Sequence, residues 1–254
     1  MELESYIRDR LQKKDILIMT HIVVGYPSYE ECFELVEAMV DSGVDLMELQ
    51  IPFSEPIADG PVILRANQKA LENGVTVQGC LELAGEIAHT FEIPFLIMTY
   101  YNVIYKYGIK RFIETMKRKG LKGAIVADLP PEEGKDYFNL MRRNGLSPII
   151  LFSPTTTFDR MRYLSDFGEG FVYCVARKGV TGAKTDFSEE LANYLTLCHR
   201  ATNLPIALGF GIKEKKDIDF LRGKAEIAVI GTQSLRIFEE DGISGVKIFL
   251  RNLR

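Results

Sequence analysis

Two carboxylates stand out by their positions. Glu48 interrupts the apolar run Leu46-Met47-Glu48-Leu49-Gln50-Ile51, and Asp59 lies in the turn-rich segment Pro52 to Pro61 that follows it. Proton transfer to and from a substrate is work such groups can do, provided that both reach one cavity. Each also has a structural reading. Glu48 can be a buried charge matched by a Lys or Arg, and Asp59 can cap the helix that starts at Gly60-Pro61. A second group of residues suits phosphate: Gly209-Phe210-Gly211 and Gly231-Thr232, two glycine turns whose backbone N–H groups could cradle an anion. Glycines also end strands in any fold. His21 reads as a general base or, more commonly for a strand histidine, as a packed core residue. Tyr173, within Phe171-Val172-Tyr173-Cys174-Val175, needs a ligand or a neighbour for its hydroxyl. Arg177-Lys178-Gly179-Val180-Thr181-Gly182 falls in a long loop that is either a lid or a solvated connection.

The elements that must hold these residues follow from the pattern. With period two, Leu46, Glu48 and Gln50 share one face of a strand, and Met47, Leu49 and Ile51 share the other. A polar face on so apolar a strand fits the mouth of a closed parallel barrel, where inward residues near the strand's C-terminal end meet ligand. Pro52 ends that strand. Around it the chain alternates. A first helix, about Glu2 to Gln12, precedes the strand Ile16 to Val24. A helix capped by Ser28 and Glu31 ends at Gly43, and helices follow Pro61 and Val77. Further strands are expected at Pro94 to Thr99, Gly123 to Ala127, Ile149 to Phe152, Gly170 to Val175, Ile206 to Leu208 and Ile227 to Ile230. Asn102 to Gly108 reads as a loop, Asp128 to Pro131 as the opening of a helix, and Ser188 to Arg200 as a helix. Eight strand-then-helix units without a linker predict one domain over residues 1–254, an α/β (β/α)₈ TIM barrel with an extra N-terminal helix. The first turn, Gly25-Tyr26-Pro27, is no dinucleotide fingerprint, which argues against an open doubly wound sheet.

Composition narrows the function. The 254 residues carry 31 basic and 35 acidic side chains, a net charge of −4, which disfavours a general nucleic-acid binder. No apolar run approaches the roughly 20 residues that span a membrane. The N-terminus lacks the basic flank and apolar core of a signal peptide, so a cytoplasmic protein is expected. Cys32, Cys80, Cys174 and Cys198 have no CxxC spacing and read as buried thiols, and His21, His89 and His199 are not grouped as zinc ligands.

The stretch Glu48-Leu49-Gln50-Ile51-Pro52-Phe53-Ser54-Glu55-Pro56-Ile57-Ala58-Asp59-Gly60-Pro61 closely resembles the signature of the tryptophan synthase α subunit. Asn102, Ala127-Asp128-Leu129-Pro130, Tyr173, Arg177, Gly179 to Gly182, Gly209-Phe210-Gly211 and Gly231-Thr232 follow in that family's order, so the resemblance spans nearly the whole chain. It implies a lyase that cleaves indole-3-glycerol phosphate reversibly to indole and glyceraldehyde 3-phosphate, with no metal and no cofactor of its own. In that role a carboxyl group in a partly apolar pocket exchanges protons with indole C3 and the adjacent hydroxyl, and Glu48 matches it. Asp59 matches the carboxylate that accepts from the indole N–H. Gly182, Gly211, Gly231 and Thr232 match the phosphate site; Phe210, Ile125, Met98 and Leu151 match the indole pocket; Thr181 matches a lid residue that meets Asp59, and Tyr173 completes the substrate-binding set. The implied partner is a pyridoxal-phosphate β subunit, in a heterotetramer of two α and two β chains, which receives the indole through an internal passage. The loop from Phe53 to Asp59 would form part of that contact.

Several positions depart from the family pattern. Gln50 stands where Gly is usual, its parity directing it to the cavity of Glu48. Glu55 replaces Asp, His21 an apolar or aromatic residue, Lys122 an acidic one, and Tyr26 precedes Pro27 where Asp is usual. Two readings follow: a competent α subunit, or a catalytically weak or inactive α-like chain that binds and activates the β subunit.

Overall fold

The computed structural model describes residues 2–175, 189–209 and 211–253. Its strands are β1 (Leu17–Val23), β2 (Leu46–Gln50), β3 (Phe95–Thr99), β4 (Gly123–Val126), β5 (Ser147–Phe152), β6 (Val172–Val175), β7 (Ile206–Gly209) and β8 (Ile227–Ile230). They form a closed barrel in sequence order, each strand parallel to the next, with β8 returning to β1. The helices are α1 (Leu3–Leu11), α2 (Tyr29–Asp41), α3 (Pro61–Glu72), α4 (Val77–Thr90), α5 (Tyr101–Tyr107), α6 (Ile109–Arg118), α7 (Lys135–Arg143), α8 (Phe158–Ser165), α9 (Glu189–Ala201), α10 (Lys215–Leu221) and α11 (Thr232–Asn252), the last kinked at Gly242.

Strand parity divides the apolar residues into two layers, as period two requires. Leu17, Met19, Leu46, Leu96, Met98, Ile125, Ile149, Ala207, Ile227 and Val229 fill the barrel interior. Ile18, Ile22, Met47, Leu49, Ile97, Ala124, Ile150 and Leu208 belong to the outer layer against the helices. A one-residue slip of β2 would drive Glu48 and Gln50 into that outer layer, so burial specifies the register. The observed pairing is His21 with Glu48 and Val23 with Gln50.

The interior layer is closed at the strands' N-terminal ends by α1, whose Leu3, Tyr6 and Ile7 join it. Asp45, just before β2 and fully buried, accepts from Arg10 and Lys14 and from the Ile18 N–H. Tyr6 donates its hydroxyl to the Asp45 carbonyl at 2.9 Å. The opposite end is left to the loops that follow the strands.

Helix boundaries follow side-chain caps. Ser28 Oγ accepts the Glu31 N–H at 3.1 Å, and Thr157 caps α8 through the Arg160 N–H. Two expectations need correction. Asn102 to Gly108 is not a loop, because residues 101–107 form α5. The Asp128 carboxylate, from beyond β4, accepts the Tyr101 N–H at 2.7 Å and supplies a cap that local sequence does not contain. Gly108, at φ 94°, separates α5 from α6. Likewise Asp128 to Pro131 does not open a helix: α7 starts only at Lys135, after the turn that returns the Gly134 N–H to the Pro130 carbonyl.

Candidate active site

The C-terminal end of the barrel holds a cleft lined by Glu48 and Asp59 together with Met98, Ile125, Leu151, Tyr173, Gly211, Gly231 and Thr232. The described residues that match the family's catalytic and substrate positions therefore line one cleft, whereas Gly209 of the first glycine turn does not. Thr181, Gly182 and Phe210, with the Arg177 loop, lie outside the described residues.

Glu48 is almost fully buried, 3% exposed, and its two oxygens differ. Oε1 lies 2.9 Å from His21 Nδ1 and accepts the Tyr173 hydroxyl at 3.4 Å. Oε2 is buried without a hydrogen-bond partner, as is His21 Nε2. Burial, the largest single influence on His21, opposes its positive charge. The hydrogen bond to Glu48 and the charges of Glu48 and Asp59 outweigh it and raise the imidazole above its usual value. Tyr173 is held well above the ordinary phenol value by burial first and by the Glu48 charge second. Its ring occupies space that a side chain at position 209 would need: a Cβ there would sit 2.4 Å from Tyr173 Cε1. Gly209, read in the sequence as part of a phosphate turn, thus makes room for the tyrosine.

Asp59 arrives on the connection between β2 and α3. Its Oδ2 accepts the Gln50 amide at 2.6 Å and the Tyr100 hydroxyl at 3.2 Å. The Tyr100 oxygen also accepts the Ala58 N–H at 3.1 Å, and its ring stacks on Phe53 at 5.1 Å, so one tyrosine fastens the acidic loop at three points. Burial raises the Asp59 carboxyl, opposed by the positive charge of His21 and by the bonds from Gln50 and Tyr100. Gln50 is fully buried and turned to Asp59, while its own Oε1 has no partner.

Beyond β8, Gly231 precedes Thr232, the first residue of α11, whose N-terminus carries the positive end of the helix dipole. Lys213 and Arg236 also line the cleft here. Neither was anticipated, although Arg236 lies one helical turn beyond Thr232 and so shares its face. The His21–Glu48 contact was legible in principle, since both residues point inward by parity. The Gln50–Asp59 bond was not, because it depends on the path of an irregular loop.

A family model described as "Tryptophan synthase alpha chain" matches residues 7–249. The chain belongs to that family. A tryptophan synthase alpha chain from Syntrophotalea carbinolica is 55% identical over 252 residues, 99% of this chain and 100% of the relative. The tryptophan synthase subunit alpha structure from Legionella pneumophila superposes with a TM-score of 0.90 at 29% identity, covering 100% of this chain and 97% of that one. A Mycobacterium tuberculosis tryptophan synthase structure gives 0.92 at 25% identity, covering 99% and 96%. As a tryptophan synthase alpha chain the protein is an enzyme of tryptophan biosynthesis. Among its described residues no cluster of three or more His, Cys, Asp or Glu could hold a metal ion, and no helix is long and apolar enough to cross a membrane. The four cysteines are buried and unpaired.

Proposed function

We propose that this chain is a carbon–carbon lyase that cleaves indole-3-glycerol phosphate to indole and glyceraldehyde 3-phosphate and passes the indole to a pyridoxal-phosphate β subunit. The observation that carries this reading is the single cleft joining two carboxylates, an apolar wall and a helix N-terminus. Glu48 acts from Oε2. Its carboxyl delivers a proton to indole C3 and its carboxylate removes one from the neighbouring hydroxyl, so the carbon–carbon bond breaks as the aldehyde forms. Protonation at C3 makes the indole nitrogen positive, and ionised Asp59 stabilises that charge through its remaining oxygen. Gln50 and Tyr100, which bond the other oxygen, favour the ionised form. Met98, Ile125 and Leu151 present an apolar surface to the indole ring. Gly211, Gly231 and Thr232 receive the phosphate at the start of α11, and Lys213 and Arg236 add positive charge. Thr181, Gly182 and Phe210 are assigned substrate contacts by the family match alone.

For the partner, Ile57 supports a docking role: it is 71% exposed on the loop that carries Asp59, so a β chain seated there would touch the loop holding the catalytic carboxylate. A heterotetramer in the cytoplasm completes the proposal. The test is indole release from indole-3-glycerol phosphate by the chain alone and with a β subunit added. Release that rises with the partner and falls about 10³-fold or more in Glu48→Gln, with inorganic phosphate still bound, is the expected result. No indole from the parent in either condition, with the β reaction still stimulated, would overturn it in favour of an activating subunit without chemistry. The departures from the family pattern at Gln50, His21 and Lys122, the first two of them buried beside the carboxylates, give this second reading its weight.

A further inference from the structure

His21 and Glu48 are register partners on adjacent parallel strands. Their side chains are 5% and 4% exposed, and both line the cleft. The carboxylate is held asymmetrically, with the imidazole and the Tyr173 hydroxyl both on Oε1 and nothing on Oε2. The terminal torsion of a glutamate is soft, so an untethered carboxyl would present either oxygen to a ligand. We propose that His21 is a positioning residue for Glu48, holding Oε1 from β1 so that Oε2 is the oxygen that exchanges a proton with substrate.

The proposal rests on the lyase reading and adds a residue to it. The tether survives both halves of the cycle: Nδ1–H donates to Oε1 when Glu48 is ionised, and again when the proton sits on Oε2. Neutral imidazole with its proton on Nδ1 and imidazolium can both make this bond. Charge on His21 is governed by burial, which opposes it, and by Glu48 and Gln50 on β2 and Asp59 on the following loop, which favour it; Tyr173 on β6 and the cations Lys213 and Arg236 line the same cleft. The backbone also leaves the imidazole little room, since a Cβ at Gly231 would come within 3.2 Å of His21 Cβ.

His21→Leu removes the donor, whereas His21→Asn keeps an N–H near Nδ1 without a titrating ring. With the β subunit present, and well below the variant's thermal midpoint, we expect His21→Leu to lower kcat for indole release at least about tenfold, with KM close to the parent's. His21→Asn should recover a third or more of kcat and lose any limb of the pH profile due to the imidazole. Parental kcat in His21→Leu would overturn the proposal, as would an equal loss in both variants or a loss that tracks the thermal midpoint. A second measurement needs no activity. The ¹⁵N resonances of His21 should show Nδ1 protonated across the titration, and the transition should move at least about one pH unit lower in Glu48→Gln. An unchanged transition would overturn the contact itself. A parent that forms no indole but shows this shift would refute the lyase reading and leave the tether standing.

Discussion

Asp59 is a buried carboxyl whose charge weighs on the stability of the fold. Burial raises its carboxyl above the ordinary value while His21, Gln50 and Tyr100 pull it back. A folded-state value above the unfolded one means that folding favours the protonated form. Asp59 therefore costs nothing below the unfolded value near 4, and its cost develops as pH rises through the folded value. Asn is neutral throughout and can still accept from the Gln50 amide. Asp59→Asn should accordingly be more stable than the parent at pH 8, where the ionised carboxylate is the form that folding disfavours. The gain should fade towards pH 4, while indole release is lost at every pH. Thermal melts at the two pH values check the sign. A variant less stable at pH 8 would mean that the bonds to Oδ2 outweigh the burial of the charge. His21 has its pKa displaced in the same direction. Its pairing therefore stabilises the fold fully below about 6.5, and the contribution declines as pH rises through the raised value.

At the level of elements, the barrel supplies rigid inward positions and the connections supply the groups that complete them. Tyr173 reaches Glu48 from β6 across the barrel mouth because β7 ends in Gly209, where a Cβ would lie 2.4 Å from the ring and 2.5 Å from its hydroxyl. Gly209→Ala must push the tyrosine away from Glu48. Overpacking of this kind costs about 1–3 kcal/mol, and kcat for indole release should fall about tenfold. Tyr173→Phe, which drops the hydroxyl without crowding, should lose less stability. If Gly209→Ala left kcat intact, the Tyr173 contact would have no catalytic weight. The same division explains what could be read in advance. Alternation in Leu46 to Ile51 was sufficient to set Glu48 inward, and glycine and proline punctuation located all eight strands to within a few residues. That Glu48, Met98, Ile125, Leu151 and Tyr173 face the cleft was legible from strand parity, and that Asp59, Gly211, Gly231 and Thr232 border it was legible from the order of the motifs. The bond from Gln50 to Asp59, the α5 cap from Asp128 and the cations Lys213 and Arg236 were not. Each depends on where a distant loop or helix lies, and local sequence does not encode that.

Across the whole molecule, chemistry and closure occupy opposite ends of the barrel, as is general for this architecture. The cleft sits where the strands end; α1 and Asp45 sit where they begin. Asp45 is fully buried and gathers Arg10, Lys14 and the Ile18 N–H on its carboxylate, while Tyr6 bonds its carbonyl. That one side chain joins α1, the entry to β1 and the entry to β2, beneath the interior layer that includes Leu3 and Ile7. Asp45→Ala would leave the Ile18 N–H without its acceptor and the two cations without their buried anion. A loss of about 2–4 kcal/mol is expected, moderated because Arg10 and Lys14 are 38% and 24% exposed and can turn to water. Glu48 lies only three residues along the same chain, yet its tethers come from His21 and Tyr173 and owe nothing to Asp45. The folded fraction of Asp45→Ala should therefore release indole with kcat and KM within about twofold of the parent at 25 °C, although its denaturation midpoint is lower. Urea unfolding and steady-state rates on the same preparation measure both quantities. A fall in kcat matching the loss of stability would show that α1 and its Asp45 anchor set the position of β2 and, through it, of Glu48.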